Sequence, residues 1–162
     1  MAASLTNLAA LYQRLGRYTK AEELYGRSME IVKKTLSPNH VSMAVALNNL
    51  ALLRQTQDRD AEAEQFYQHS MAILEKTLGP EDFGIASILN NLAMLHQRQG
   101  DYAEAETLYK RSLTILTKIL GPDHPAVSES LRNLASLYRE EGRSEEAETL
   151  SRRSAEIRQK MP

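Results

Sequence analysis

The stretch Leu47-Asn48-Asn49-Leu50-Ala51 returns as Leu89-Asn90-Asn91-Leu92-Ala93. Both copies lie in apolar-periodic sequence that reads as helix. Asparagine is a poor choice there, costing roughly 0.5 kcal/mol against alanine because its amide competes for backbone hydrogen bonds. The wider pattern Leu-x-Asn-Leu-Ala also occupies Leu5–Ala9 and Leu131–Ala135, so it occurs four times at a 42-residue step without insertion or deletion. Other columns keep that step. Ala21, Ala63, Ala105 and Ala147 align, each followed by Glu; Ile31, Ile73, Ile115 and Ile157 align; Tyr25, Tyr67 and Tyr109 align, then Ser151. So many columns in register make an internal repeat.

Each unit carries two helical patterns. In the third, Ile85, Ile88, Leu89, Leu92 and Leu95 mark one helix from near Phe83, ended by Gly100 in the position that favours a left-handed residue. A second runs from about Asp101 to Leu120, is stopped by Gly121-Pro122, and is followed by the start signal Asp123-His124-Pro125. Short links make antiparallel neighbours, and one hairpin cannot bury its apolar faces alone. The expected fold is all-α, a solenoid of four antiparallel hairpins. The units are about 1–37, 38–79, 80–121 and 122–162, together a single domain over 1–162.

Composition bounds the function. The chain has 162 residues, a formal net charge of −1 and no cysteine. Near-neutral charge argues against nucleic-acid or anionic-membrane binding. No cysteine means no disulfide framework, thiolate chemistry or zinc–thiolate site. No secretory signal or membrane-spanning run is visible, and a cytoplasmic setting is expected.

The order Leu-Ala-x-Leu-Tyr, Gly-Arg/Asp-Tyr, Ala-Glu-x-Leu-Tyr resembles the tetratricopeptide repeat. The 42-residue period, Leu-Asn-Asn-Leu-Ala and Leu-Gly-Pro-Asp-His-Pro resemble its longer variant in kinesin light chains and nephrocystin-3-like proteins. The resemblance implies a right-handed superhelix of eight helices whose first helices line a concave surface. It also implies a non-catalytic interaction scaffold.

On a wheel of about 100° per residue, Leu5, Leu8, Ala9, Tyr12 and Leu15 share one arc, expected in the core. The columns of Thr6, Asn7, Ala10, Gln13 and Arg14 point away. Through the repeats they supply Asn48, Asn49, Leu52 and Gln55, then Asn90, Asn91, Met94, Gln97 and Arg98, then Arg132 and Asn133, with Val45 beside them. These twelve are the candidate partner-binding residues. Amides that donate and accept, interleaved with apolar side chains, suit an extended peptide. Arg14, Arg98, Arg132 and Arg139 outnumber Glu129 and Glu140 there, which would favour an acidic peptide. Two readings of the asparagines stay open. The column of Asn7, Asn49, Asn91 and Asn133 is filled in every unit and would suit bonds between repeats. Asn48 and Asn90 occur only in the middle units and would suit a ligand.

No constellation points to catalysis, and neither cofactor nor metal is expected. His40 and His124 occupy a helix-start turn, and no His-Glu-x-x-His or Cys/His cluster exists. Ser28, Ser70, Ser112 and Ser154 share a column where small size suffices. Tetratricopeptide domains that grip acidic chaperone tails use a lysine/arginine/asparagine clamp. Its asparagine part matches, but its basic columns here read Ala3, Val45, Ser87, Glu129 and Thr6, Asn48, Asn90, Arg132, with no lysine. Chaperone-tail binding is therefore not expected.

The ends differ. Ser151, Ala155 and Arg158 replace the bulkier columns of Tyr109, Leu113 and Leu116, as a polar terminal face would. The first helix lacks the initial turn of the others, with no polar replacement on its core columns. That predicts either a longer parent array or homo-oligomers through the N-terminal edge. In unit two, Gln57-Asp58-Arg59-Asp60 lacks the turn glycine and is expected to be the softest turn.

Overall fold

The computed structural model describes residues 1–37 and 39–160, which form eight α-helices and no strand. In order these are α1 (Ala2–Arg14), α2 (Tyr18–Thr35), α3 (Val41–Thr56), α4 (Asp60–Leu78), α5 (Phe83–Gln99), α6 (Tyr102–Leu120), α7 (Pro125–Glu140) and α8 (Ser144–Gln159). The chain divides into two compact units, Met1–Pro80 and Glu81–Pro162. In the first, α1 pairs with α2, α3 with α4, and α2 packs on α3. In the second, α5 pairs with α6, α7 with α8, and α6 packs on α7. The fold is all-α and built from helical hairpins.

Local chemistry sets the helix boundaries. His40, Asp82 and His124 occupy one repeat column, and each accepts a backbone N–H two residues on, at 3.1, 2.7 and 3.1 Å. This is side-chain capping of the N-termini of α3, α5 and α7. Both histidines cap through Nδ1, which places the proton of the neutral ring on Nε2.

The turns inside the hairpins share one closing bond. Arg17, Arg59, Asp101 and Arg143 donate their N–H to the carbonyls of Tyr12, Arg54, His96 and Tyr138 at 2.8–2.9 Å. That wide bond needs a left-handed residue just past the helix. Gly16, Gly100 and Gly142 supply it in the first, third and fourth hairpins, whereas Asp58 adopts φ 56° in the second. Asp58 is the one non-glycine with positive φ among the described residues. Arg54 Nη1 also donates to Gln57 Oε1 (3.0 Å), and Arg59 forks onto Glu62, so side chains brace this turn.

Polar columns hold each hairpin together. Ser28, Ser70, Ser112 and Ser154 are buried and donate to the carbonyls of Ala2, Ala44, Ala86 and Ser128 at 2.7–2.9 Å. Small size was the sequence-based reason for this column; the hydroxyl bond to the paired helix adds a second. Tyr25, Tyr67 and Tyr109 are buried, and their hydroxyls donate to Oε1 of Gln13, Gln55 and Gln97. The fourth hairpin changes both partners together, Arg139 donating to Ser151.

The helix wheel misplaces part of α1. Leu8 and Leu15, expected in the core, are 41% and 61% exposed, while Thr6, expected outside, is 5% exposed. The matching Leu50 and Leu134 are buried because a preceding hairpin covers them: Leu50 packs with Ala21 and Tyr25, Leu134 with Ala105 and Tyr109. Among the described residues no hairpin covers Leu8. Thr6 is short enough to turn inward, where its hydroxyl lies 2.8 Å from Ser28 Oγ.

Candidate interaction groove

The expected stripe falls on α3 in the first unit and on α5 and α7 in the second. On α3, Val45 is exposed, Asn48, Asn49, Leu52 and Gln55 are half-buried, and Asn48 Oδ1 is buried without a hydrogen-bond partner. Gln55 spends its carbonyl on Tyr67 at 2.7 Å.

In the second unit the stripe borders two clefts. One, of about 190 Å³, lies among Phe83, Ser87, Asn90, Asn91, Glu129 and Ser130. Ser130 is buried, and its hydroxyl has no hydrogen-bond partner. The other, of about 230 Å³, is lined by Met94, Gln97, Arg98, Tyr109, Asn133, Ser136 and Glu140. Between them, Asn133 Nδ2 donates to Asn90 Oδ1 at 3.1 Å. Asn90 borders the first cleft and Asn133 the second, and both are half-buried. Met94 is 47% exposed, an apolar side chain held in the open between amides.

The second cleft is wired together. Gln97 accepts from the Tyr109 hydroxyl at 3.0 Å and donates to Glu140 Oε1 at 2.6 Å. Both ends of that amide are committed, tying α5 to α6 and to α7. Burial, and secondarily the Glu140 charge, raises the Tyr109 pKa, keeping its hydroxyl a donor. Neither cleft reaches the roughly 300–1,000 Å³ usual for small-molecule sites. Shallow, polar-edged and open, they suit a chain laid across them.

A third cleft adjoins the second through the shared Asn133 and Ser136. It measures about 380 Å³ and adds Arg132, Arg139, Ser151 and Arg158. Thus seven of the twelve candidates (Asn90, Asn91, Met94, Gln97, Arg98, Arg132 and Asn133) border clefts of the second unit, and the other five stand on α3.

Ionic contacts between successive hairpins are absent from the sequence reading. Arg54 is buried and donates from Nη1 to Glu22 Oε2 at 3.0 Å, joining α3 to α2. Its hydrogen bond holds the Glu22 carboxyl below its usual range. In the second unit Tyr138 donates to Glu106 Oε1 at 2.7 Å, and Arg143 Nη1 donates to Glu106 Oε2 at 2.8 Å. The Arg143 guanidinium lies 3.7 Å from the Tyr138 ring centroid. Arg143, Lys110 and Tyr138 bring the Glu106 pKa down to about 2 against partial burial. Arg54 and Tyr138 share one repeat column, and Glu22 and Glu106 share another. That shared register was the available signal.

Among the described residues no helix is long and apolar enough to cross a membrane, and no group of three or more His, Asp or Glu side chains is placed to hold a metal ion.

The repeating hairpins, buried serine and tyrosine columns and amide-lined first helices define a helical-repeat protein. The tetratricopeptide repeat model matches residues 1–76 and 84–160, and the chain belongs to that family, with the kinesin light chain type of repeat. The crystal structure of BtubC (BKLC) from P. vanneervenii is similar at TM-score 0.87 and 28% identity, covering 97% of this chain and 63% of that one. A Podosopora anserina protein described as a putative kinesin light chain with nearly identical TPR-like repeats is similar at TM-score 0.75 and 30% identity, over 97% of this chain and 74% of that one. A single-substitution form of that protein gives TM-score 0.81 and 29% identity, over 98% and 75%. This chain therefore spans under two thirds of the length of BtubC. No curated protein matches the chain. With these relatives the fold is an all-α helical-repeat solenoid, and tetratricopeptide repeats are in general protein–protein interaction modules.

Proposed function

We propose that this protein is a non-catalytic scaffold that binds an extended segment of a partner protein along the amide-lined face of its first helices. The observation that carries the reading is the pair of shallow clefts on either side of the Asn90–Asn133 bond, with exposed Met94 at their edge. A peptide backbone offers both N–H and C=O groups, and the clefts answer with Asn90, Asn91 and the unpartnered Ser130 hydroxyl. Met94 supplies an apolar contact. The arginines bordering the face favour an acidic partner. A cytoplasmic location fits this role.

The test is selection of dodecapeptides from a random phage-displayed library on the intact chain, followed by calorimetry of the winners. Met94→Glu should weaken the selected peptides at least tenfold with unchanged circular dichroism. Equal affinity for the variant would place binding elsewhere.

A second reading, self-association, is favoured by one observation. Leu8, Leu11 and Leu15 stand exposed along α1 and its C-terminal end, an apolar row at helical spacing. A second copy would cover it. Leu11→Glu should then lower the mass measured by light scattering at high protein concentration, whereas Met94→Glu should not.

A further inference from the structure

Arg132, Arg139 and Arg158 line one cleft of about 380 Å³, with Asn133, Ser136 and Ser151 and without an acidic side chain. We propose that this cleft is an oxyanion site that takes a phosphorylated side chain of the partner segment.

The argument starts from the repeat columns. In the third hairpin the residues matching Arg132, Arg139, Ser151 and Arg158 are Asn90, Gln97, Tyr109 and Leu116. There the tyrosine is buried and bonded to the glutamine, and Leu116 is buried. The fourth hairpin changes all four positions together. Replacing tyrosine by Ser151 empties the volume of a ring, and three guanidiniums border the space. Ser151 donates to the Ala147 carbonyl at 2.7 Å and accepts from Arg139, which holds that arginine in place. Neither Arg132 nor Arg158 has a carboxylate within ion-pair distance among the described residues. Elsewhere on α8 and at its end, Arg153 pairs with Asp123 and Glu156 and Lys160 with Asp123, whereas Arg152, which does not line the cleft, has no carboxylate within ion-pair distance among the described residues.

A surface that only needed polarity would be served by any mixture of charges. Three like charges around one cleft repel, and the repulsion is relieved when an anion binds. A carboxylate neutralises one of the three. A phosphate monoester brings about −1.5 to −2 charge and three acceptor oxygens, which guanidinium forks and the Ser136 hydroxyl match. The shared Asn133 and Ser136 join this cleft to the one beside Met94, so a segment crossing the first would reach the second. Delivery of the phosphate on a segment rests on the groove reading above; phosphate binding by the cleft does not.

The experiment has two arms on the intact chain. Inorganic phosphate, with acetate as control, is titrated while the arginine Nε–Hε resonances are followed. Phosphate should shift those of Arg132, Arg139 and Arg158 and acetate should not; equal or absent shifts would overturn the site. In the second arm, one alanine–serine decapeptide is made with a single phosphoserine, aspartate or serine. The phosphoserine form should bind at least tenfold tighter than either other form. Arg132→Asn, Arg139→Gln and Arg158→Leu, which restore third-hairpin residues, should together abolish that preference. Arg158→Leu alone, the milder change, should reduce it at least threefold. Equal binding of the aspartate form, or a preference kept in the variants, would overturn the proposal. Phosphate shifts without any peptide binding would fail the groove reading and its delivery step and leave the anion site intact.

Discussion

Asn133 donates its side-chain amide to Asn90 Oδ1 across 3.1 Å, joining α7 to α5 between two clefts. The pair unites the two asparagine columns that the sequence kept separate. One residue of each type bonds the other in the adjacent hairpin, so their structural role does not exclude a ligand role. Asn90 keeps its own amide N–H groups, and Asn133 its carbonyl.

The bond makes its own prediction. Asn133→Ala and Asn90→Ala should each lower stability by about 0.5–1.5 kcal/mol, with a coupling of about 0.5–1 kcal/mol in the double variant. Urea denaturation of the four proteins of the cycle measures it. Strict additivity would mean that the bond contributes nothing.

Asp58 holds a left-handed conformation, φ 56°, where three equivalent turns use glycine. Asp58→Gly removes the Cβ strain, and the midpoint in urea should rise by the equivalent of about 1 kcal/mol. In the wild type, hydrogen exchange of the Arg59 amide should be faster than that of Asp101, its counterpart after Gly100. Equal protection would show that the Arg54–Gln57 and Arg59–Glu62 contacts compensate fully.

Glu106 gives a pH dependence of defined sign. Its carboxyl is held at about 2 in the folded protein, below the ordinary value of 4.5, first by Arg143 and then by Lys110 and Tyr138. Between those values the unfolded chain binds more protons, so stability falls as the pH falls. The contribution is fully present above about pH 4.5 and is lost toward pH 2. After discounting for solvent it is about 1–2 kcal/mol. Glu106→Gln should flatten that part of the curve and leave the protein less stable at pH 7.

Much of the fold was legible because the repeat exposes each column four times. Ala9, Ala51, Ala93 and Ala135 are buried without exception, and the helix breaks at Gly100 and Gly121 fall where glycine chemistry puts them. The errors arise where one helix was read without its neighbours. Leu8 has the pattern of Leu50 and Leu134, but among the described residues only those two of the three are covered by a preceding hairpin. The glutamine column was assigned to the groove from direction alone, and Gln97 does border a cleft, but a wheel does not give partners. Its carbonyls turn to Tyr25, Tyr67 and Tyr109, and the simultaneous switch to Arg139 and Ser151 was the readable trace of that pairing. Arg54 had no part in the sequence reading; packing buries it beside Glu22 and Glu62.

The serine column offers a check on that lesson. Ser112→Ala removes a 2.7 Å bond to the Ala86 carbonyl. That carbonyl belongs to a helix ladder, so the loss should stay near 0.5–1.5 kcal/mol, read as a lower thermal midpoint. A loss above about 3 kcal/mol would point to an orphaned buried group instead.

The most direct measurement is calorimetry of a library-selected dodecapeptide against the wild type, Met94→Glu and Leu15→Glu. Met94 and Leu15 are both exposed, on α5 and just past α1, so neither change should unfold the chain. Binding along the α5–α7 face predicts at least a tenfold loss with Met94→Glu and none with Leu15→Glu. Unchanged affinity for Met94→Glu, with loss in Leu15→Glu, would contradict the groove and move the interaction to the exposed leucine row.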